Sequence, residues 1–376
     1  MTTHSTSYLG GMDGLRALAA LGVFGVHLNQ ILDVDLYWGP FDLGLLLING
    51  EVGVALFFVL SGFLLSRPFV AYRTGNGPRP SLRHYAWHRL VRIVPAYYLC
   101  LLLLVLINGS WRVPEGQVDL LLHLLFLFNL AEFSTLSINP VFWTLAVEMQ
   151  FYLVLPLLFL LRGRLWWKLL LIGAAAYALH VVLNFWLDWQ IRWPWSDWQL
   201  WLRPHGAMLT HSLFAHLPHF LIGMLLALYQ QQRGGPIAKS WANLGFLILM
   251  IAFPLILASD AADMLSAPYG RYFLPVVPLM FALLVFFTLH SPFALALLEL
   301  RPVRYLGRVS YGLYLFHLPA MWWLDRQMLS RQLDAPDHPW VFLALAFLLS
   351  VLVAAASYQW LERPLMRRLR YSPPAT

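Results

Sequence analysis

The first apolar run of the chain, residues 9–32, reads LGGMDGLRALAALGVFGVHLNQIL. A helix needs about 20 apolar residues to cross the hydrocarbon of a bilayer, so this run is long enough to span it. Residues 1–11 contain no Lys or Arg, whereas a cleavable signal peptide normally starts with positive charge. We therefore expect residues 9–32 to be a retained membrane anchor that begins the fold.

The composition of the whole chain agrees with this anchor. Of the 376 residues, 60% are hydrophobic and 11% are charged, whereas ordinary soluble domains carry about 45–50% apolar and about 25% charged residues. These values exclude an ordinary soluble domain and predict an integral membrane protein. The formal net charge of +7 does not indicate a nucleic-acid partner, because the basic residues lie between apolar runs.

The apolar runs predict an all-α, polytopic transmembrane helical bundle of about ten spans. The predicted spans are residues 9–31, 52–65, 93–107, 142–161, 165–187, 212–229, 241–258, 272–289, 309–323 and 340–361. Residues 1–370 are expected to form a single transmembrane domain, which a short cytoplasmic tail at residues 371–376 follows.

Residues 118–130 form an eleventh apolar run, which is short and carries His123 and Asn129. If this run does not span, 18 of the 25 Lys and Arg residues fall on one side, and the positive-inside rule makes that side cytoplasmic. We therefore predict ten spans, both termini in the cytoplasm, and a re-entrant or interfacial segment near residues 118–131. Irregular backbone at membrane depth is tolerated only against protein or a water-filled cavity, so this segment should line such a space.

Cysteine and histidine usage does not predict a metal site. The one cysteine, Cys100, excludes an internal disulfide and a cysteine metal cluster. Four histidines near the sixth predicted span have no Asp, Glu or Cys at the usual ligand spacing. They are His205, His211, His216 and His219. We therefore predict that no metal is bound.

Arg16 and His27 are ionisable side chains within the first predicted span. A charge at the bilayer centre costs roughly 2.5–3.5 kcal/mol, so such side chains usually have a function. Eleven residues make about three helical turns, which places both side chains on one face about 16 Å apart. This spacing suits a channel or tunnel. The alternative is that Arg16 and His27 snorkel to opposite interfaces.

Glu148 lies about two turns inside the outer end of the fourth predicted span. It recurs at helical spacing with Trp143, Thr144 and Tyr152, which gives a polar stripe on an otherwise apolar helix. A carboxyl group at this depth indicates a functional site. A hydrogen bond that only joins two helices is the alternative.

His317 shares a helix face with Tyr311 and Tyr314, because the three residues are spaced by three. Catalysis, substrate contact and helix packing are all consistent with this pattern.

Arg89 and Arg92 are the last arginines of a predicted basic loop, directly before the third predicted span begins. Two arginines at i and i+3 on the start of a helix form a fork that suits phosphate, and the helix N-terminus attracts anions as well. Arginines in this loop are also what the positive-inside rule alone predicts.

Several stretches, in order along nearly the whole chain, resemble the membrane acyltransferase 3 family. Arg16, ten intervening positions and His27 match the family's opening, and Arg89 and Arg92 match its arginine pair. The other matching stretches are MDGLRALAA at residues 12–20, GVALFFVLSGFL at 53–64, WTLAVE at 143–148 with Phe151, Tyr152 and Pro156, PHFLIGM at 218–224, Gly307 to His317-Leu318-Pro319, and Glu362-Arg363-Pro364.

This resemblance implies ten spans and the transfer of an acyl group, commonly acetyl, from cytoplasmic acyl-CoA to a hydroxyl of an extracytoplasmic glycan or glycolipid. It implies acyl-CoA as co-substrate without a metal, and an integral position among the lipids of a bacterial cytoplasmic membrane. Some relatives carry a fused hydrolase-like domain after the last span. Because this sequence ends at Thr376, we expect a stand-alone enzyme or one with a separate extracytoplasmic acyl-handling protein. The rival interpretations are a transporter or flippase of an amphiphilic substrate, and an acyltransferase that acts on a small secreted product.

The resemblance also suggests roles for the polar side chains. His27 is expected to take the proton of the acceptor hydroxyl or to carry the acyl group, and Glu148 to orient His27 or raise its basicity. Arg89 and Arg92 are expected to hold the phosphates of acyl-CoA, while Arg16 stabilises the co-substrate or its tunnel. The side chains expected to line the tunnel or contact substrate are Ser61, Trp143, Tyr152, Tyr311, Tyr314 and His317.

Overall fold

The computed structural model describes residues 9–161, 163–192, 206–235, 237–262 and 276–368, and these are almost entirely helical. The helices are α1 (Met12–Leu32), α2 (Leu43–Ile48), α3 (Val52–Arg73), α4 (Leu82–Asn108), α5 (Pro114–Leu124), α6 (Glu132–Thr135), α7 (Trp143–Leu158), α8 (Leu165–Arg192), α9 (Gly206–Thr210), α10 (Leu213–Arg233), α11 (Lys239–Leu257), α12 (Val276–His290), α13 (Pro292–Leu298), α14 (Arg301–Leu329), α15 (Pro339–Ser357) and α16 (Arg363–Arg368). Two short strands, β1 (Tyr37–Trp38) and β2 (Phe41–Asp42), form an antiparallel hairpin after α1.

The predicted polytopic helical bundle is confirmed. Within the described residues, eight helical segments are long and apolar enough to cross a membrane. The pair α12 and α13, bent by 98° at their junction, raises this number to nine. The predicted span 309–323 lies within α14, which is 29 residues long and packs between α1 and α15. The number ten, the single domain and the cytoplasmic side of both termini stay predictions, and the tail 371–376 lies outside the described residues.

Two predicted spans begin elsewhere than the sequence indicated. The second begins before residue 52, because α2 and a 3-10 turn lead directly into α3 and make one apolar segment, Leu43–Arg73. The third begins at Leu82, so α4 is 27 residues long. Ser81 accepts a hydrogen bond from the backbone N–H of His84 and caps this helix. The predicted beginning of the span 272–289 lies outside the described residues.

Helix α4 shows how the sequence separates a protein face from a lipid face. Tyr97 and Cys100 are buried on one side. The other side exposes a stripe of large apolar side chains, which are Leu99, Leu102, Leu103, Leu106 and Ile107. So large an apolar stripe is costly in water and suits contact with lipid.

The segment near residues 118–131 does not span the bundle, as predicted. It forms the 11-residue helix α5 and a 3-10 turn, Phe128–Leu130. The hydroxyl groups of Tyr97 and Tyr98 on α4 donate to the carbonyl oxygens of His123 and Leu124 at 3.0 and 2.7 Å. These bonds fasten the segment to the end of the bundle, where its polar backbone contacts protein.

The main core joins α1, α3, α4, α7, α8, α10, α11, α12, α13 and α14. Within it, α3 and α10 approach closely at Gly62 and at Gly223. A Cβ on Gly62 would collide with the carbonyl oxygen of Phe220, and a Cβ on Gly223 would collide with the carbonyl oxygen of Val59. Small residues permit such contacts between membrane helices, and this one fixes α3, the helix that carries Ser61.

We expect Gly223→Ala to destabilise the protein by about 1–3 kcal/mol, because two packed backbones have to separate. The thermal unfolding midpoint of the purified protein in detergent measures this effect. Gly173→Ala on α8 is the matched control, since its Cβ would lie an ordinary 3.5 Å from Leu221. Equal midpoints for Gly223→Ala and Gly173→Ala would contradict the close contact.

Candidate functional site

A cavity lies inside the core between α1, α3, α4, α7 and α14. The space between its lining atoms, including the part open to solvent, is about 770 Å³. Polar side chains from all five helices meet there, although each helix is mainly apolar. These polar side chains are Arg16, Ser61, Arg89, Arg92, Thr144, Glu148, Tyr152, Ser310, Tyr311 and Tyr314.

Three arginines dominate the electrostatics of this cavity. Arg16, Arg89 and Arg92 contribute three positive charges and Glu148 one negative charge, so the lining carries a formal charge of +2. Nε of Arg89 is buried and has no hydrogen-bond partner among the described residues. A buried donor without a partner is costly. The site is therefore electrostatically incomplete and suited to an anion.

Asp13 offsets part of the positive charge of Arg16, whereas Arg89 contacts a neutral ring. A terminal nitrogen of Arg16 lies 3.4 Å from a carboxylate oxygen of Asp13, which is long for a strong ion pair. The guanidinium carbon of Arg89 lies 5.6 Å from the ring centre of Tyr85, at the distance of a cation–π contact. An aromatic ring stabilises the cation there while its donors stay available.

Glu148 binds two hydroxyl groups of the cavity wall. Its Oε1 accepts hydrogen bonds from Ser61 Oγ at 2.9 Å and from the Tyr152 hydroxyl at 2.5 Å. Of the polar stripe predicted on α7, the residues Thr144, Glu148 and Tyr152 line the cavity. The hydrogen bond between Glu148 and Ser61 connects α7 to α3. No hydrogen bond joins Glu148 to His27, so the structure gives no direct contact for the orienting role that the sequence suggested.

Tyr311 and Tyr314 complete the wall on α14. The Tyr311 hydroxyl donates to the carbonyl oxygen of Ile93 at 2.7 Å. The Tyr314 hydroxyl donates to the carbonyl oxygen of Val141 at 3.1 Å and accepts from Thr144 Oγ1 at 2.8 Å. Both hydroxyl groups thus have hydrogen-bond partners on neighbouring parts of the cavity wall.

His27 and His317 form a pair. Nε2 of His317 lies 3.0 Å from Nδ1 of His27, although 290 positions separate the two residues. Nδ1 of His27 also lies 3.0 Å from the carbonyl oxygen of Val23. Nδ1 of His317 lies 2.9 Å from the carbonyl oxygen of Tyr314 and 3.1 Å from that of Leu313. The ring of His317 is only 1% exposed, so His27 contacts the protein interior.

The cavity that contains the arginines does not extend to His27. His27 and His317 do not line the cavity, whereas Tyr314 does. The ring centres of Tyr314 and His317 are 6.2 Å apart, so Tyr314 belongs to the cavity wall and also lies beside the histidine pair. Edge-to-face packing against Phe57, at 5.8 Å between ring centres, supports the Tyr314 ring there.

Trp143 lies in a different group from the other predicted site residues. It does not line the cavity, and its ring packs against His211 and His216 at 4.6 and 4.8 Å between centres. Among the described residues, no three His, Cys, Asp or Glu side chains are arranged to hold a metal ion. His205 lies outside the described residues.

Tyr85 and Ser310 are site residues that the sequence reasoning missed. Tyr85 lies one turn before Arg89 on α4, and its hydroxyl donates to the carbonyl oxygen of Tyr152 at 3.3 Å. An aromatic residue at i−4 from a buried arginine could have identified it. Ser310 precedes Tyr311 and is 2% exposed, and it has no comparable signal in the sequence.

Comparison with known proteins identifies acyltransferases, both by family and by individual relatives. The family model described as an acyltransferase domain matches residues 9–359. The chain is 25% identical to "O-acetyltransferase OatA" of Staphylococcus aureus (strain NCTC 8325 / PS 47) over 97% of this chain and 58% of the relative. It is 28% identical to "Putative peptidoglycan O-acetyltransferase YrhL" of Bacillus subtilis (strain 168) over 96% of this chain and 56% of the relative. The chain thus spans less than three fifths of the length of these relatives. No solved structure shows a significant match.

Proposed function

The chain belongs to the acyltransferase domain family, and we propose that it moves an acetyl group from cytoplasmic acetyl-CoA to a hydroxyl of an extracytoplasmic glycan. The family and the apolar helices make it an integral membrane protein, and its bacterial relatives indicate the cytoplasmic membrane. The name of the Bacillus subtilis relative includes peptidoglycan, and this favours a peptidoglycan hydroxyl as the acceptor.

The arginine-lined cavity is the observation that carries the proposal for the donor. Three guanidinium groups and one carboxylate meet inside a membrane bundle, and an uncompensated charge at that depth is costly. A polyanionic co-substrate such as acyl-CoA would offset the charge of +2. Nε of Arg89 lacks a partner, and we propose that Arg89 and Arg92 bind phosphate groups of the donor by charge-assisted hydrogen bonds.

The route of the acyl group follows from the position of Tyr314. The phosphates of the donor stay among the arginines, which the positive-inside rule places toward the cytoplasm. The thioester then extends along the wall formed by Ser61, Tyr311 and Tyr314 toward His27. Because Tyr314 lines the cavity beside the histidine pair, we expect its ring to move when the acyl chain extends toward His27.

The proposed chemistry uses His27 as the base. Its imidazole takes the proton of the acceptor hydroxyl while the hydroxyl oxygen bonds to the carbonyl carbon of the thioester. The carbon–sulfur bond then breaks, and the sulfur leaves with the proton as free coenzyme A. In the covalent route, the imidazole nitrogen attacks the thioester first and releases the thiol. The acceptor hydroxyl then takes the acetyl group from the acyl-histidine.

Glu148 is proposed to act as a positioning residue for the cavity wall, because it holds Ser61 and Tyr152. We expect Glu148→Gln to lower kcat by about 10- to 100-fold, the range for one charged hydrogen bond. The KM for acetyl-CoA should not rise, since removing a carboxylate increases the positive charge of the cavity. Ser61→Ala removes one of the two bonds and should have a smaller effect. A rise in KM without a change in kcat would contradict this role.

Release of free thiol from acetyl-CoA tests the proposed function. The purified protein in lipid nanodiscs is supplied with acetyl-CoA and peptidoglycan fragments, and the released thiol and the mass of the fragments are measured. We expect one acetyl group on a fragment for each thiol released. A transporter or flippase would instead move its substrate across a sealed vesicle without consuming the thioester, and this outcome would overturn the proposal.

A further inference from the structure

The hydrogen atoms of the two histidines can be assigned from the carbonyl groups that they face. A carbonyl oxygen only accepts hydrogen bonds. Nδ1 of His317 faces the carbonyl oxygens of Tyr314 and Leu313, so this nitrogen carries a hydrogen. Nδ1 of His27 faces the carbonyl oxygen of Val23, so it carries a hydrogen as well.

These two assignments fix the other nitrogen of His317. Its Nε2 lies 3.0 Å from Nδ1 of His27. If both nitrogens carried a hydrogen, two donors would point at each other at that distance. Nε2 of His317 is therefore a bare acceptor, and it shares the Nδ1 hydrogen of His27 with Val23.

The remaining nitrogen of His27 is then the basic one. Because Nδ1 of His27 carries the hydrogen, Nε2 of the neutral ring holds a lone pair. This Nε2 has no hydrogen-bond partner among the described residues. It is thus available to take a proton or to attack a carbonyl carbon, and no side chain of the described part competes for it.

We propose that His317 is a positioning residue that makes Nε2 of His27 the reactive atom. Its lone pair fixes the tautomer and the ring orientation of His27, and stabilises the imidazolium that forms when Nε2 takes a proton. A carboxylate usually has this task in hydrolytic triads. The proposal rests on the proposed function of His27, and it gives His317 the orienting role that the sequence suggested for Glu148.

The close fit between α1 and α14 makes this arrangement rigid. Gly307 on α14 lies against the backbone of Asp13, which is at the beginning of α1, whereas His27 is near the end of this helix. Phe24 lies one helical turn before His27, and Met321 lies one turn after His317. Both side chains belong to the same packed apolar cluster. The two helices therefore hold the rings in one register, as a preorganised base requires.

The test compares variants that keep or remove the acceptor at position 317. His317→Gln keeps an oxygen that can accept from His27, whereas His317→Leu and His317→Met fill the space without an equivalent acceptor. His290→Leu is the matched control, because Nδ1 of His290 also lies 2.9 Å from the carbonyl oxygen one turn earlier, that of Phe286. Unfolding midpoints show which variants are folded, and His317→Met replaces His317→Leu if the latter does not fold.

Two readouts are measured on each variant. The first is kcat and KM for acetyl-CoA. The second is the rate at which diethyl pyrocarbonate modifies His27, followed by mass spectrometry, which reports the reactivity of the imidazole without any acyl transfer. We expect the apolar variants to lower kcat by about 10- to 100-fold with KM unchanged, a smaller loss than a triad carboxylate gives. Modification of His27 should slow as well, and His317→Gln should restore both.

Unchanged kcat and unchanged modification of His27 in a folded apolar variant would overturn the proposal. Equal losses in His317→Gln and the apolar variants would also overturn it, because they would indicate packing rather than an acceptor. If the wild-type protein releases no thiol while modification of His27 still depends on position 317, the proposed function fails and the positioning by His317 stands.

Discussion

Replacement of His27 by alanine is expected to lower turnover of acetyl-CoA by about 10²- to 10⁴-fold, the usual contribution of a general base. Binding of acetyl-CoA should be nearly unchanged, because His27 does not line the arginine cavity. Turnover is measured by thiol release, and binding by calorimetry on the same protein preparation. The large expected effect depends on the chemistry of one nitrogen, since His27 contributes little buried apolar surface.

His27→Asn separates the chemistry of His27 from its structural contacts. An asparagine amide can still donate to the carbonyl oxygen of Val23 and to Nε2 of His317, but it offers no basic nitrogen. We expect His27→Asn to be as stable as the wild type and as inactive as His27→Ala. Substantial turnover by a folded His27→Asn protein would remove His27 from the reaction.

The double substitution Arg89→Gln and Arg92→Gln is expected to weaken binding of acetyl-CoA by about 10²- to 10⁴-fold, because each charged hydrogen bond contributes roughly 1.5–3 kcal/mol. The expected loss is in binding rather than in kcat at saturating donor, since neither arginine contacts the histidine pair. Raising the salt concentration should weaken binding to the wild type more than to the double variant.

The matched control for this double variant is Arg79→Gln with Arg83→Gln. Both arginines are exposed and lie outside the cavity, at the same end of α4. This control removes the same number of charges from the same basic segment, residues 67–92. If both double variants bind acetyl-CoA as well as the wild type, Arg89 and Arg92 serve topology alone, as their place in a basic loop also suggested.

The helical architecture was predictable because the bilayer restricts what a sequence of this composition can form. Long, mainly apolar runs have to satisfy their backbone within helices, and the runs that contain α1, α3 and α7 were found in this way. Helix α14 was recognised from its apolar centre, although its polar ends make it less apolar than the others. The beginning of the second span was misjudged because α2 and a 3-10 turn precede α3. The beginning of the third was misjudged because α4 continues as a helix through the polar residues 82–92.

The sequence showed which polar side chains belong to the site, but not which side chains they contact. Arg16, Arg89 and Glu148 are costly within a membrane, and the structure brings all three to one cavity. The sequence did not indicate that Glu148 would bind Ser61 and Tyr152, because nothing in the spacing along α7 shows which helix it faces.

The contact between His27 and His317 could not be predicted from the sequence either. It joins α1 to α14 across 290 positions, and only the packing of distant helices decides such a pair. For the same reason, the sequence indicated a tunnel along α1 but not that Tyr314 would line the cavity beside the histidine pair.

The most direct test of the central claim is the structure of the protein with an acetyl-CoA analogue in which a methylene group replaces the thioester sulfur. We predict that its phosphates contact Arg89 and Arg92, that the Tyr314 ring has moved, and that the acetyl carbonyl carbon lies roughly 3–4 Å from Nε2 of His27, near the distance for attack. An analogue whose phosphates lie away from these arginines, or whose acetyl group remains distant from His27 beside an unmoved Tyr314, would contradict the claim.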